Sequence, residues 1–102
     1  MADQPSEVDK LETFFEEIIQ KMEHRFTSHE FLLRLAHEHQ PEYVRALTHY
    51  MEKGTPFKDL HHELVKRLHH LDGKLIALHK KDYPSRDIFG VVSTASVWRK
   101  IH

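Results

Sequence analysis

The first quarter of the chain has apolar residues at helical spacing. Between residues 6 and 24 these residues fall on one broad face when successive positions are placed ~100° apart, and the glutamates lie mostly opposite. They are Val8, Leu11, Phe14, Phe15, Ile18, Ile19 and Met22. Ser6 is a suitable N-cap, and Asp9 follows three residues later, as in a capping box. The pattern predicts one amphipathic helix over 6–24.

A second helix is indicated by its starting residues. Thr27 and Glu30 have the spacing of a capping box, and Phe26 and Phe31 have the spacing of a hydrophobic staple. Apolar residues at helical spacing continue beyond them. We therefore expect a helix over 28–39.

The positions of proline and glycine predict two more helices. Pro41 suits the first position of a helix over 41–52, which Gly54 would end. Thr55 and Pro56 have the character of an N-cap and a first helical residue. A leucine stripe follows, and Gly73 would end a helix over 56–72. The stripe consists of Phe57, Leu60, Leu64, Leu68 and Leu71.

Beyond Gly73 the residue types change. The segment 91–98 is rich in β-branched and small residues, and 82–87 has the composition of a turn. We expect 75–80 and 94–101 to form an antiparallel ribbon with a long, flexible tip, in which Trp98 is buried. The alternative is one helix over 56–81 followed by an irregular tail, because the period of a six-residue apolar run is ambiguous.

The order of three short helices and a β-ribbon resembles a winged-helix domain of the helix-turn-helix superfamily. The run FTSHEF at 26–31, with IFG at 88–90 and VWRK at 97–100, is similar to small bacterial winged-helix proteins of unassigned function. The resemblance covers 26–101. It implies an α+β winged helix with an extra N-terminal helix, in one domain over 1–102. An all-α bundle with an irregular C-terminal tail is the alternative.

Composition narrows the classes of protein. The 102 residues include no cysteine, which excludes disulfides and thiolate zinc sites. No apolar run approaches the ~20 residues that span a bilayer, and the acidic start lacks the features of a secretory signal. We expect a cytoplasmic protein without membrane contact. Charge is divided unevenly: residues 1–24 carry −5 and residues 25–102 carry +4, with histidine neutral.

The basic half contains the candidate nucleic-acid site. In helix-turn-helix proteins the recognition helix enters the major groove, and the resemblance gives this role to the helix over 56–72. The ribbon over 74–101 would add phosphate contacts through Lys80, Lys81 and Arg86 at its tip. We therefore expect DNA binding, although Asp59 and Glu63 also fit a solvated face of mixed charge. The candidate residues are Lys58, His62, Lys66, Arg67, His69, His70, Lys80, Lys81 and Arg86.

The competing hypothesis is a protein-interaction module without DNA binding. The apolar face of the 6–24 helix lies outside the minimal winged-helix fold and has to be covered. It packs either on its own domain or against a second copy in a homodimer. The interface residues would be Leu11, Phe15, Ile18 and Met22.

Catalytic and metal-binding patterns are weak. None of the eleven histidines has another histidine three or four positions away, the spacing of helical zinc ligands. No glycine-flanked nucleophile or phosphate-binding glycine loop is found. We expect neither an enzyme nor a metal, a cofactor or a small-molecule substrate. His61, at the edge of the leucine stripe, is expected to be buried and hydrogen-bonded.

Overall fold

A computed structural model describes residues 6–101 as an α+β structure, so the predicted domain ends at 1–5 and 102 lie outside the described residues. The all-α alternative is therefore wrong. The elements are α1 (Glu7–Glu12), α2 (Phe15–Lys21), β1 (Arg25–Thr27), α3 (Ser28–Glu38), α4 (Gln40–Thr48), a 3-10 turn (Met51–Lys53), α5 (Pro56–His69), β2 (Ile76–Arg86) and β3 (Val92–Lys100). Within 6–101, no helix has both the length and the apolar character needed to cross a bilayer.

The predicted helix over 6–24 is divided into α1 and α2. The capping box of Ser6 and Asp9 is confirmed, but the helix is interrupted at Thr13. The Thr13 hydroxyl donates to the carbonyl of Lys10 at 2.6 Å, a bond that competes with the helical pattern and bends helices. The interruption accompanies a stacked contact of Phe14 with the His39 ring, whose centroids are 3.7 Å apart.

The predicted start of α3 is confirmed. The Glu30 N–H donates to the Thr27 hydroxyl at 3.1 Å, and the Thr27 N–H donates to the Glu30 carboxylate at 2.7 Å. The rings of Phe26 and Phe31 are stacked with centroids 6.3 Å apart, as the staple requires. Thr27 is also the last residue of β1, a strand that the sequence pattern did not indicate.

Helices α4 and α5 are shorter than predicted. α4 ends at Thr48, and the 3-10 turn leads to Gly54, whose φ of 84° is the left-handed conformation that glycine favours. α5 ends at His69 rather than at 72. Thr55 is the N-cap residue of α5 and Pro56 is its first residue, as predicted, but the Thr55 side chain makes no capping hydrogen bond.

The predicted ribbon is confirmed, but its strands are longer than expected. The antiparallel sheet has the order β1-β3-β2. The segment 82–86, predicted as part of a turn, belongs to β2, and the chain reverses over 87–91. Its turn-like residues occupy a bulged edge strand. The register shifts between Leu78 and Lys80 and again between Lys80 and Tyr83, and Asp82 has a φ of 50°.

One core joins the helices to the inner face of the sheet. Trp98 is fully buried, as predicted, and its indole N–H donates to the Ser28 hydroxyl at 3.0 Å. Leucines of α5, aromatic residues of α2 and α3, and Ile76 of β2 complete this core. Arg25 pairs with Arg99 and Lys80 pairs with Val97, so these three bases lie on the side of the sheet opposite Trp98.

Candidate nucleic-acid interface

The exposed face of α5 includes most of the predicted helix residues. Lys58, His62, Lys66 and His69 are exposed along it, and His70 is exposed directly after it. The His69 ring packs edge-on against Trp98, with centroids 4.7 Å apart. Without Arg67, the described helix contributes two lysines and the carboxylates of Asp59 and Glu63. Its charge is therefore close to balanced.

Arg67 does not belong to this face. Its guanidinium lies within 2.9 Å of three carboxylates, those of Asp9, Glu12 and Glu63, and its side chain is only 20% exposed. Burial opposes its charge, but hydrogen bonds to the three carboxylates outweigh that effect and raise the pKa of Arg67 above its ordinary value. Arg67 joins α5 to α1, so its predicted role in contacting DNA is corrected to a structural one.

The predicted wing-tip residues occupy different positions on the ribbon. Lys80 pairs with Val97 near the middle of the sheet, and Lys81 lies in the adjoining bulge, so neither is at the tip. Arg86 does lie next to the tip, where it donates to the Gly90 carbonyl at 2.9 Å. The tip itself folds back onto α5.

A cleft of about 640 Å³ lies between α5 and the ribbon. The edge-to-face contact of Phe57 with Phe89, 4.9 Å between centroids, joins the tip to the start of α5. His61 lines the cleft, is partly buried and is hydrogen-bonded to the Tyr43 hydroxyl at 2.6 Å, so the predicted hydrogen bond is confirmed and the predicted burial is partial. Basic and acidic side chains both line this cleft, so its charge does not favour a polyanion.

A histidine and a serine meet near this cleft in a way that the sequence did not indicate. His29 Nδ1 lies 3.0 Å from the Ser85 hydroxyl, which ties α3 to β2. Within 6–101, no hydrogen bond connects the other ring nitrogen of His29 to an orienting carboxylate or carbonyl. Among the described residues, the pair therefore lacks the third member that orients the histidine base in a catalytic triad.

The three strands hold the largest concentration of positive charge. They contain six basic residues and a single acid, Asp82. Among the ion pairs within 6–101, none involves a base of the strands; the paired arginines and lysines all lie on helices. The six bases are Arg25, Lys80, Lys81, Arg86, Arg99 and Lys100. Lys100 donates to two backbone carbonyls and Arg86 donates to one, which leaves Arg25, Lys80, Lys81 and Arg99 for contacts with a ligand.

Two of these bases face each other directly. Arg25 and Arg99 are partners in the antiparallel register of β1 and β3. Side chains opposite each other in such a pair lie ~5 Å apart, and like charges there are unfavourable. The pKa of His79 lies below its ordinary value because of partial desolvation and because of three nearby cations. The cations are Arg25, Lys80 and Arg99.

A groove of about 490 Å³ runs along this side of the sheet. Its floor includes Val97, which pairs with Thr27 on one side and with Lys80 on the other. Arg25, His79, Lys80 and Tyr83 contribute basic and aromatic walls, and Glu30 is its acidic side chain. We call this the outer groove.

The predicted interface on the first helix is used within the chain. Leu11, Phe15 and Ile18 are at most 2% exposed and belong to the core, and Met22 packs against it. Leu11, Phe15 and Ile18 are therefore unavailable to a second copy, and their interface assignment is corrected, whereas Met22 is only partly buried. They pack within their own domain, as the other alternative predicted.

Sequence reasoning found Lys80 but missed Arg25, His79, Tyr83 and Arg99. Arg25 precedes a strand that was not predicted, and its pairing with Arg99 depends on the fold. Within residues 6–101 there is no cluster of three or more histidines and acids placed to hold a metal ion. Comparison with protein-family models, curated proteins and solved structures gives no match.

Proposed function

We propose that this domain binds nucleic acid through the outer side of its sheet. The observation that carries the proposal is the cluster of Arg25, Lys80 and Arg99 on that side, none of which is neutralised by an ion pair within 6–101. Cations without partners on one surface are the usual signature of phosphate contacts. The described helices, in contrast, contain many acids and most of the ion pairs.

The fold supports a winged-helix form of this proposal. Helices precede a two-stranded ribbon, and the short strand β1 joins that ribbon to the start of α3. The resemblance implies that α5 and the ribbon tip contact the nucleic acid. The balanced charge of α5 and the contact of the tip with α5 make both less suited to that role. In our proposal the sheet makes the main phosphate contacts, and α5 contributes through Lys58 and Lys66 at most.

Two double variants of equal charge change separate the two surfaces. One variant combines Lys80→Glu with Arg99→Glu on the sheet, and the other combines Lys58→Glu with Lys66→Glu on α5. Fluorescence anisotropy with a labelled oligonucleotide at about 50 mM salt is the measurement, since non-specific binding is strong at low salt. Circular dichroism would establish that both variants keep their helix content.

We expect the sheet variant to bind about 30-fold or more weakly than the wild type. Two attractions are lost and two repulsions gained, each about 0.5–1 kcal/mol. The α5 variant should lose less than about fivefold, because its charges are distant and screened. If only the α5 variant loses affinity for the oligonucleotide, the assignment of the site to the sheet is contradicted. If the wild type binds no oligonucleotide, the proposal is overturned.

A further inference from the structure

The outer groove differs from a plain phosphate-binding surface because an aromatic ring lines it. Tyr83 is 44% exposed and lies within the groove, and the Lys80 ammonium lies 5.7 Å from the centroid of its ring. The bulges on either side of Lys80 bring that lysine, His79 and Tyr83 to the same groove, although strict alternation would separate neighbours. A stacking surface and a phosphate-binding cation are therefore adjacent.

Glu30, the acidic side chain in the groove, is suited to contact a nucleobase. Glu30 opposes a phosphate, but its Oε1 accepts the Thr27 N–H, and a carboxylate can accept further hydrogen bonds. Nucleobases carry N–H donors on their edges, either amino groups or the imide N–H of thymine and uracil, whereas ionised phosphates carry none. The groove therefore places a hydrogen-bond acceptor and an aromatic ring, which suit a base, next to two cations, which suit the backbone phosphates.

These features of the groove favour a single-stranded ligand over a duplex. In a duplex the faces of the bases are covered by stacking on neighbouring bases. An exposed tyrosine ring therefore finds few base faces on which to stack. A single strand offers both its base faces and its phosphates, and proteins that bind single strands combine a positive groove with aromatic side chains.

We propose that the outer groove binds single-stranded nucleic acid, with a base stacked on Tyr83 and the adjoining phosphates held by Arg25, Lys80 and Arg99. This inference rests on the proposed nucleic-acid binding and names the form of the ligand. Since stacking on one aromatic side chain contributes a large part of the affinity, loss of the ring should weaken binding about 5- to 100-fold.

The test compares a labelled oligothymidylate of about 12 nucleotides with a hairpin duplex that carries the same number of phosphates. Tyr83→Leu removes the ring, and Tyr83→Phe keeps it. Phe89→Leu is the matched control, because Phe89 is an exposed aromatic residue of the same ribbon that does not line the groove. Thermal melts establish that all three variants fold.

We expect the wild type to prefer the single strand, Tyr83→Leu to lose that preference, and Tyr83→Phe and Phe89→Leu to retain it. Oligouridylate in a parallel titration identifies whether the strand is RNA or DNA, and a preference for either supports the proposal. Equal binding of single strand and duplex that Tyr83→Leu leaves unchanged would overturn this inference and leave the proposed function standing. Absence of binding to every probe would overturn both.

Discussion

His61 connects three parts of the structure through one side chain. Its ring lies between Tyr43 of α4 and Phe89 of the ribbon tip. Burial raises the pKa of Tyr43 to about 12, and its hydroxyl is hydrogen-bonded to Nε2 of His61 at 2.6 Å. Burial also lowers the pKa of His61 below its ordinary value. Protonation of His61 therefore opposes folding.

The stability of the domain should depend on this histidine in mildly acidic solution. Because the pKa of His61 is lower in the folded state, the unfolded chain binds a proton first as pH falls. The stabilisation is complete above about pH 6.5 and is lost as the pH falls toward the folded-state pKa. Urea denaturation between about pH 5 and 7 should show a flatter pH profile for His61→Gln than for the wild type. His62→Gln, at the exposed neighbour, should keep the wild-type profile, and equal profiles for both variants would exclude this role.

At the scale of residues, the sequence predicted roles that depend on near neighbours or on burial. The capping boxes of Ser6 and Thr27 are local, and the burial of Trp98 and His61 follows from apolar patterns. Arg67 was misassigned because two of its carboxylate partners, Asp9 and Glu12, lie 58 and 55 positions away in the chain. A helical wheel shows which side of α5 carries Arg67, but it does not show that α1 packs there.

The strands show a conflict between stability and charge. Arg25 and Arg99 are direct partners across β1 and β3, and neither has an ion pair within 6–101. Like charges in such positions are destabilising, and they are retained in proteins mainly where a function requires them. The sheet thus keeps a pairing that its own folding does not favour.

Reversing one of these charges should stabilise the fold. Arg99→Glu places a carboxylate opposite Arg25, and we expect the free energy of unfolding to rise by about 0.5–1 kcal/mol. Urea denaturation followed by Trp98 fluorescence measures the change. Lys81→Glu, at a bulge position without a facing cation, is the control and should stay within about 0.5 kcal/mol of the wild type. If Arg99→Glu is no more stable than the wild type, the two arginines do not repel each other appreciably.

The elements themselves were predictable where their patterns are long. The three central helices and the ribbon follow from periodicity, caps and residue type. β1 was missed because three residues carry no measurable period, and the break at Thr13 depends on a side-chain hydrogen bond that apolar patterns ignore. Residues 82–86 were misread because the glycine-free run DYPSR has the composition of a turn but lies on a bulged edge strand, where proline needs no hydrogen-bonding partner.

The whole molecule separates its charges by surface. Across residues 6–101, acids and ion pairs are concentrated on the helices, whereas the bases of the strands form no ion pair. The uneven charge of the sequence indicated such a division, but it did not locate the basic surface, because Arg25 and Arg99 come from opposite ends of the described chain. That surface exists only once β1 and β3 pair, which explains why the sequence favoured α5 as the binding element.

The central claim is that nucleic acid lies on the outer side of the sheet. The most direct measurement is the change of backbone amide chemical shifts in an isotope-labelled protein titrated with an oligonucleotide at low salt. We predict that the largest changes fall in Arg25–Thr27, in 79–83 and in 97–99, which surround the outer groove. Changes confined to the exposed face of α5, or no changes at a saturating concentration of oligonucleotide, would contradict the claim.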